Sequence, residues 1–483
     1  MMNGRLERPE DIVFIINPST WYKSMYPTGI LCLANYLEAK GFPSVILDGG
    51  LSPRRVRPVD GEGLILEALK AMKPKVVCLS STHKEFEEVI RLGAGAKAIE
   101  SRPTVIVGGS QATYRPPDYL QNGIDFVCFG EGEKTLHEFI SEVAAGTFNW
   151  RSVAGLAWND GSRLVMNAPR PLMAGPELGI DVFSTYEKID KRYFSATVEI
   201  IRGLPLVGAL LLTTRGCPFT CTFCGCGSIF GRKLRFRSLD SIRSEVSYLK
   251  DRHGVEGIWI VDDTFTVNRQ HALAVARILK DQGMVWGCQS RVDTLDEALA
   301  AELRACGCVQ MDFGVESGSQ RVLDEVIDKR TNIGQVRTAF ALTKKHGIRS
   351  LANFMIGLPT ETEEDLQATK SLADAIQADV YVFSIATPLP GTKLYEMVGE
   401  EISPFQYSLL DWNGSDLTGK LNKSGIKDVV GERRRLKNKY LMRSFLRSAL
   451  SPRSAGFLLS RRGRLKRLGA VLMFLWRTLS GRG

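Results

Sequence analysis

Three cysteines stand close together in Cys217-Pro-Phe-Thr-Cys221-Thr-Phe-Cys224, separated by three and two residues. Three thiols at this spacing, directly after a predicted strand, can converge on one metal centre. Soft thiolates at this density suit an iron–sulfur cluster or zinc. Structural zinc usually takes four ligands, typically as two separated pairs, and no matching His or Cys pair occurs elsewhere. Three cysteines leave one iron of a [4Fe–4S] cube open to a further ligand, which is a catalytic arrangement. Cys226 extends the run and reads as a bystander. Cys288, Cys306 and Cys308 read as small buried hydrophobes.

A second group of residues lies upstream. A predicted strand ends in Gly108-Gly109, and another ends in Gly130-Glu131-Gly132 before a helix. Glycines at strand ends of a doubly wound sheet admit the polar arm of a bulky ligand. There is no GxGxxG after the first strand and no GxxxxGK[ST], so dinucleotide and Walker-type nucleotide binding are disfavoured.

The elements that must position these residues follow from periodicity. Residues 11–150 alternate short apolar runs (11–16, 44–48, 75–80, 104–107 and 125–129) with helical patterns, which predicts a doubly wound, Rossmann-like α/β domain. Residues 151–207 break the alternation with Asn-Asp-Gly and proline turns and read as a connector with one small hairpin. Residues 208–395 resume it, with strands predicted near 209–213, 257–261, 286–289, 310–313, 349–355 and 378–384. Six β/α units fit a partial (β/α) barrel whose chemistry sits on the loops after the strands. Residues 396–483 read as a basic, mainly helical C-terminal region.

The barrel segment resembles the radical S-adenosylmethionine (SAM) enzymes. The resemblance rests on CxxxCxxC with Phe223 before its last cysteine. It is supported by IVDDTF from Ile260, GVESGS from Gly314, FMIGLPT from Phe354 and PLPGT from Pro388. It implies that Cys217, Cys221 and Cys224 hold a [4Fe–4S] cluster whose open iron chelates SAM. It also implies that Glu316 faces SAM and that Gly357 lets the backbone approach adenine. Asp262 and Asp263 are expected to contact substrate or support the site. The upstream segment resembles the cobalamin-binding domain joined to many such enzymes, through Gly108, Gly109, Ala112, Thr113, Asp125, Gly130, Glu131, Gly132, Glu133 and Thr135. Tyr26, Thr28, Asp48, Ser80 and Gln111 complete the cobalamin-binding residues the resemblance implies. The sequence departs from the pattern in two places. D-x-H-x-x-G is absent, and Gln111 stands where relatives often carry His. His83 is the one histidine near the expected ligand face.

Together the two resemblances imply a cobalamin-dependent radical SAM enzyme. It would methylate an unactivated carbon of a hydrophobic, lipid- or pigment-like substrate, using a 5′-deoxyadenosyl radical and methylcobalamin. A flavodoxin or ferredoxin would supply electrons. The alternatives are an oxidative cyclase or rearrangement with the same cofactors, a tRNA-modifying methylthiotransferase, and a non-enzymatic cobalamin sensor or carrier.

Charge adds one further expectation. The chain of 483 residues carries +10, yet residues 401–483 hold 18 Lys and Arg against 5 Asp and Glu, so the body is near neutral. The basic runs at 433–439 and 461–467, the second followed by an apolar stretch ending in Trp476, fit a helix lying on anionic lipid. Few aromatics interleave with the charges, which disfavours nucleic acid. Scattered cysteines, no apolar leader and no run of about 20 apolar residues predict a cytoplasmic protein, peripheral at the inner membrane face.

Overall fold

The computed structural model describes residues 6–18, 26–49, 58–161, 163–179, 182–195, 206–399 and 401–450. The segment 461–476, on which the membrane-surface expectation chiefly rests, lies outside them.

The first sheet contains β1 (Ile12–Ile16), β2 (Val45–Asp48), β3 (Val76–Ser80), β4 (Thr104–Gly108), β5 (Phe126–Cys128), β6 (Leu156–Asp160) and β7 (Arg163–Met166), in the order β2-β1-β3-β4-β5-β6-β7. The first five strands are parallel. β1 is buried along its whole length, as a central strand covered on both faces must be. The hairpin expected in the connector forms, and it joins this sheet: β6 pairs antiparallel with β5, and β7 with β6. The sheet is therefore mixed rather than purely parallel.

The second sheet starts at β8 (Gly208–Leu211). The short β9 (Thr214–Arg215) and β10 (Arg235–Phe236) pair antiparallel and pinch the cysteine loop between them. Then follow β11 (Gly257–Ile260), β12 (Val285–Ser290), β13 (Cys308–Glu316), β14 (Arg349–Ile356) and β15 (Val380–Ile385). Six strands run parallel in the order β15-β14-β13-β12-β11-β8. β8 and β15 are not paired with each other, so this is a partial barrel, with β8 at one edge.

The two sheets share a core. One continuous set of buried side chains runs from Phe14 and Ile106 of the first sheet to Ala209 and Leu211 of β8. Tyr26 reinforces the junction. Its hydroxyl donates to the Leu210 carbonyl (2.7 Å) and accepts from the Leu210 N–H (2.8 Å), satisfying both backbone groups of an edge-strand residue.

The C-terminal region closes the other side. Helix Val429–Leu450 lays Tyr440 on Tyr381 and Phe383 of β15. Part of the first basic run takes part in this docking. Arg433 donates to the Phe383 carbonyl (2.9 Å), Arg435 pairs with Glu432, and Lys439 pairs with Asp374. Among the described residues, no helix is long and apolar enough to cross a membrane.

Candidate cofactor sites

A cavity of about 380 Å³ opens at the carboxyl ends of β1, β3, β4 and β5, where a doubly wound sheet places its ligand. Of the residues singled out from sequence, Thr28, Ser80, Gly108, Gly109, Gly130, Glu131 and Gly132 line it. The opposite wall comes from the barrel: Leu212, Ile229, Phe230 and Val261 are apolar, and Arg215 is the charged member.

The glycines are required by geometry. Gly109 has φ 99° and ψ −178°, a region only glycine occupies without strain. A Cβ there would also stand 2.6 Å from the Ser81 carbonyl oxygen. Thr113 ties the two glycine turns together, donating to the Gly109 carbonyl (2.9 Å) and accepting from the Gly130 N–H (3.1 Å).

Three of the residues expected to bind cobalamin stand outside the lining of this cavity. Tyr26 does not line the cavity; it is buried against Tyr186, Tyr193 and Phe194 and serves β8. Asp48 accepts from the Tyr193 hydroxyl (3.3 Å) and is likewise absent from the wall. Gln111 is buried behind the wall, its N–H donating to the Ser81 carbonyl (3.2 Å). His83 is neither an exposed helix-start residue nor part of the cavity. It is buried, its Nε2 lies 3.2 Å from the Leu410 carbonyl oxygen, and burial pushes its pKa down to about 4.

Glu131 lines the cavity with its charge already spent. It accepts from Arg235 (2.8 Å), Arg215 (3.3 Å) and the Met173 N–H (2.9 Å). Glu133 pairs with Arg215, and all four side chains are at most 7% exposed. Burial pushes the Glu133 carboxyl up, and Arg215 more than offsets it, leaving the group below the usual carboxylate range. Two acids of the first domain thus meet two arginines that flank the cysteine loop. Arg215 stands two residues before Cys217, the one sequence signal that could have marked it.

The loop is fixed from several directions. At Gly216 (φ 96°) a Cβ would lie 2.3 Å from the Lys233 carbonyl oxygen, so the entry into the loop admits only glycine. The Cys217 N–H donates to Gly231, the Thr222 N–H to Ile327, and the Leu394 N–H to the Thr222 carbonyl. Cys217 and Cys221 are half-buried and Cys224 is exposed. Burial raises the Cys221 thiol, against which Lys329 and Arg291 pull. Among the described residues, no three ligating side chains converge tightly enough for a single ion. Cys226 Sγ lies 2.9 Å from Asp263 Oδ2, a local partner that fits its reading as a bystander.

Sequence reasoning missed the group behind the loop. Arg291, just beyond β12, stacks 3.6 Å from the Phe219 ring centroid. It also donates to the Lys329 carbonyl (2.6 Å) and points Nη1 at Cys221 Sγ (3.9 Å). Lys329 pairs with Glu316 Oε1 (2.8 Å), and Glu316 closes β13 with φ 66°, a strained value for a residue with a Cβ. Asp262 is fully buried and accepts from the Thr213 (2.6 Å) and Thr214 (3.1 Å) N–H groups; burial raises its pKa to about 6. It is part of the scaffold. Gly357 (φ 78°) is covered by the C-terminal region: a Cβ would lie 2.4 Å from Asn422 Nδ2, which donates to the Gly357 carbonyl.

Residues 19–140 match the B12 binding domain family and residues 211–373 match the radical SAM superfamily. An uncharacterized methyltransferase of Pyrococcus horikoshii is 32% identical over 340 residues, 69% of this chain and 71% of that one. The chain belongs to the cobalamin-dependent radical SAM enzymes. The anaerobic magnesium-protoporphyrin IX monomethyl ester cyclase of Rubrivivax gelatinosus is 28% identical over 399 residues, 79% of this chain and 68% of that one. The radical SAM methyltransferase TsrM of Kitasatospora setae, solved with cobalamin and a [4Fe–4S] cluster, shares the fold. It superposes with a TM-score of 0.67 at 20% identity, covering 80% of this chain and 74% of that one.

The cofactors of this cobalamin-dependent radical SAM enzyme are thus cobalamin, a [4Fe–4S] cluster and SAM. Its residues fit them. The glycine turns at 108–109 and 130–132 leave room for a bulky ligand arm at the carboxyl ends of the strands. Cys217, Cys221 and Cys224, all on the loop between β9 and β10, supply the thiolates such a cluster takes.

Proposed function

We propose that the enzyme methylates a carbon of an apolar, lipid- or pigment-like small molecule, with electrons from a flavodoxin or ferredoxin. One observation carries the substrate class. Every charged side chain lining the cavity (Glu131, Glu133 and Arg215) is neutralised within the interdomain network, and the rest of the barrel wall is Leu212, Ile229, Phe230 and Val261. A charged substrate brought between bound cobalamin and this barrel wall would lose hydration without gaining a counter-charge. Methyl transfer is supported by the methyltransferase relative.

In this reading Cys217, Cys221 and Cys224 hold the cluster, with Phe223 packed in the same loop. Thr28, Ser80 and the four glycines Gly108, Gly109, Gly130 and Gly132 cradle cobalamin. When bound, these cofactors supply the methyl group and the radical chemistry. The chain orients them and excludes water. Lys329 holds Glu316 Oε1, leaving Oε2 to accept from a hydroxyl or ammonium of SAM. Glu361 accepts from the Gly357 (2.6 Å) and Leu358 (3.0 Å) N–H groups and so fixes the turn assigned to adenine.

The test is product analysis. The protein is purified anaerobically, reconstituted with iron, sulfide and cobalamin, and given SAM and a strong reductant. S-adenosylhomocysteine and 5′-deoxyadenosine are then quantified. Both should form, the first only with cobalamin. Formation of 5′-deoxyadenosine alone overturns methyl transfer and favours a cyclase-type reaction.

A further inference from the structure

Tyr114 closes the short helix Ser110–Tyr114, whose Ser110 and Thr113 line the cavity. Its side chain leaves the first domain and reaches the barrel. The hydroxyl donates to the Gly225 carbonyl at 2.6 Å, and Gly225 directly follows Cys224. The same ring fills the space over Gly391, in the PLPGT turn after β15.

Both glycines record this approach. A Cβ on Gly225 would lie 2.0 Å from the Tyr114 oxygen, and one on Gly391 would lie 2.1 Å from its Cδ1. Gly225 has φ −87°, a value any residue adopts, so backbone conformation does not demand glycine there. Tyr114 does. At its other end the tyrosine is tied to both glycine turns, because Thr113 in the same helix bonds Gly109 and Gly130. One short rigid path therefore runs from the two turns of the cobalamin cavity, through Thr113 and Tyr114, to the peptide following the last cysteine of CxxxCxxC.

We propose that Tyr114 is a positioning residue that fixes the distance between cobalamin and the cluster, acting through the Gly225 carbonyl. The proposal rests on the assignment of the two cofactor sites above. Methyl transfer needs both cofactors to reach one substrate carbon, and a displacement of about 1 Å can cost on the order of a hundredfold in rate. A direct mechanical link between the two binding loops holds that distance without relying on the substrate.

The test needs no substrate. In the reconstituted full-length enzyme, cobalamin is poised as cob(II)alamin and the cluster is reduced, and pulsed EPR reads the magnetic interaction between the two spins. The wild type should give a single well-defined interaction. Tyr114→Ala should broaden or lose it, while iron content, cobalamin content and each separate EPR signal stay at wild-type values. Tyr114→Phe keeps the ring over Gly391 and loses only the hydrogen bond, so it should give an intermediate broadening. It also keeps the experiment decisive if the alanine variant does not fold. Gly225→Ala should broaden the interaction in the wild-type background, by displacing the tyrosine, and add nothing in the Tyr114→Ala background.

An unchanged interaction in Tyr114→Ala and Tyr114→Phe overturns the proposal, as does an additive effect of Gly225→Ala. Absence of the cluster signal or the cob(II)alamin signal from the wild type overturns the site assignment itself, and the proposal with it.

Discussion

Arg215 and Glu133, 82 positions apart in sequence, form an ion pair across the domain junction with each side chain only 7% exposed. Arg215 is also shared with Glu131, whose second oxygen belongs to Arg235. Such a network is costly to build, because burial removes hydration from every charge, and it is costlier still to leave incomplete. Arg215→Met removes one cation and strands the Glu133 carboxylate, while Glu131 keeps Arg235. The loss should be about 3–5 kcal/mol, read as a lowered thermal midpoint of the apoprotein. Arg215→Met combined with Glu133→Leu should recover part of it, because that double change removes charge from both sides.

Gly109→Ala tests the cobalamin cradle. The backbone at this position is accessible only to glycine, at a cost of about 1–3 kcal/mol for another residue, and the new Cβ would press on the Ser81 carbonyl. Cobalamin content after reconstitution should fall, while iron content stays at the wild-type value. An equal fall in both would mean that the substitution unfolds the chain rather than closing the cavity.

The cysteines should separate cleanly. Cys217→Ala, Cys221→Ala and Cys224→Ala should each lose the iron and the cluster absorbance. Cys226→Ala should retain both, because its thiol is engaged with Asp263. Loss of iron in Cys226→Ala would make it a ligand.

The turn at Gly357 should be sensitive to pH through Glu361. Burial raises this carboxyl from 4.5 to about 7, against the lowering effect of the Leu358 and Gly357 N–H groups. A folded value above the unfolded one means that the group's contribution is full below about 4.5 and is lost as pH rises through about 7. Glu361→Gln does not titrate. The thermal midpoint of the wild type should therefore fall relative to that of Glu361→Gln between these two pH values and run parallel to it above them. A constant difference across the range would refute the assignment.

The sequence by itself determined the local features. The spacing of Cys217, Cys221 and Cys224, the glycine turns at 108–109 and 130–132, and the alternation of apolar runs with helical patterns are all readable within a few residues. The physical constraints behind them act over one loop, one turn or one strand. The two α/β units and the cofactor set followed from them. Strand ends were less legible: β13 runs on to Glu316 because pairing with β14 supports it, beyond the apolar run that marked its centre.

Only the tertiary structure decided the partners. Tyr26 looked like part of the cobalamin helix and instead serves the Leu210 backbone. Glu131 looked like a ligand-binding acid and is neutralised by two arginines. Gly357, a plain turn glycine in sequence, has its carbonyl held by Asn422. His83, the one histidine near the expected ligand face, is buried against the Leu410 carbonyl. Each pairing spans between 65 and 327 positions, and no periodicity or motif records a contact at that separation. Such contacts are selected when the chain packs, by whichever distant group can satisfy a buried donor, acceptor or charge.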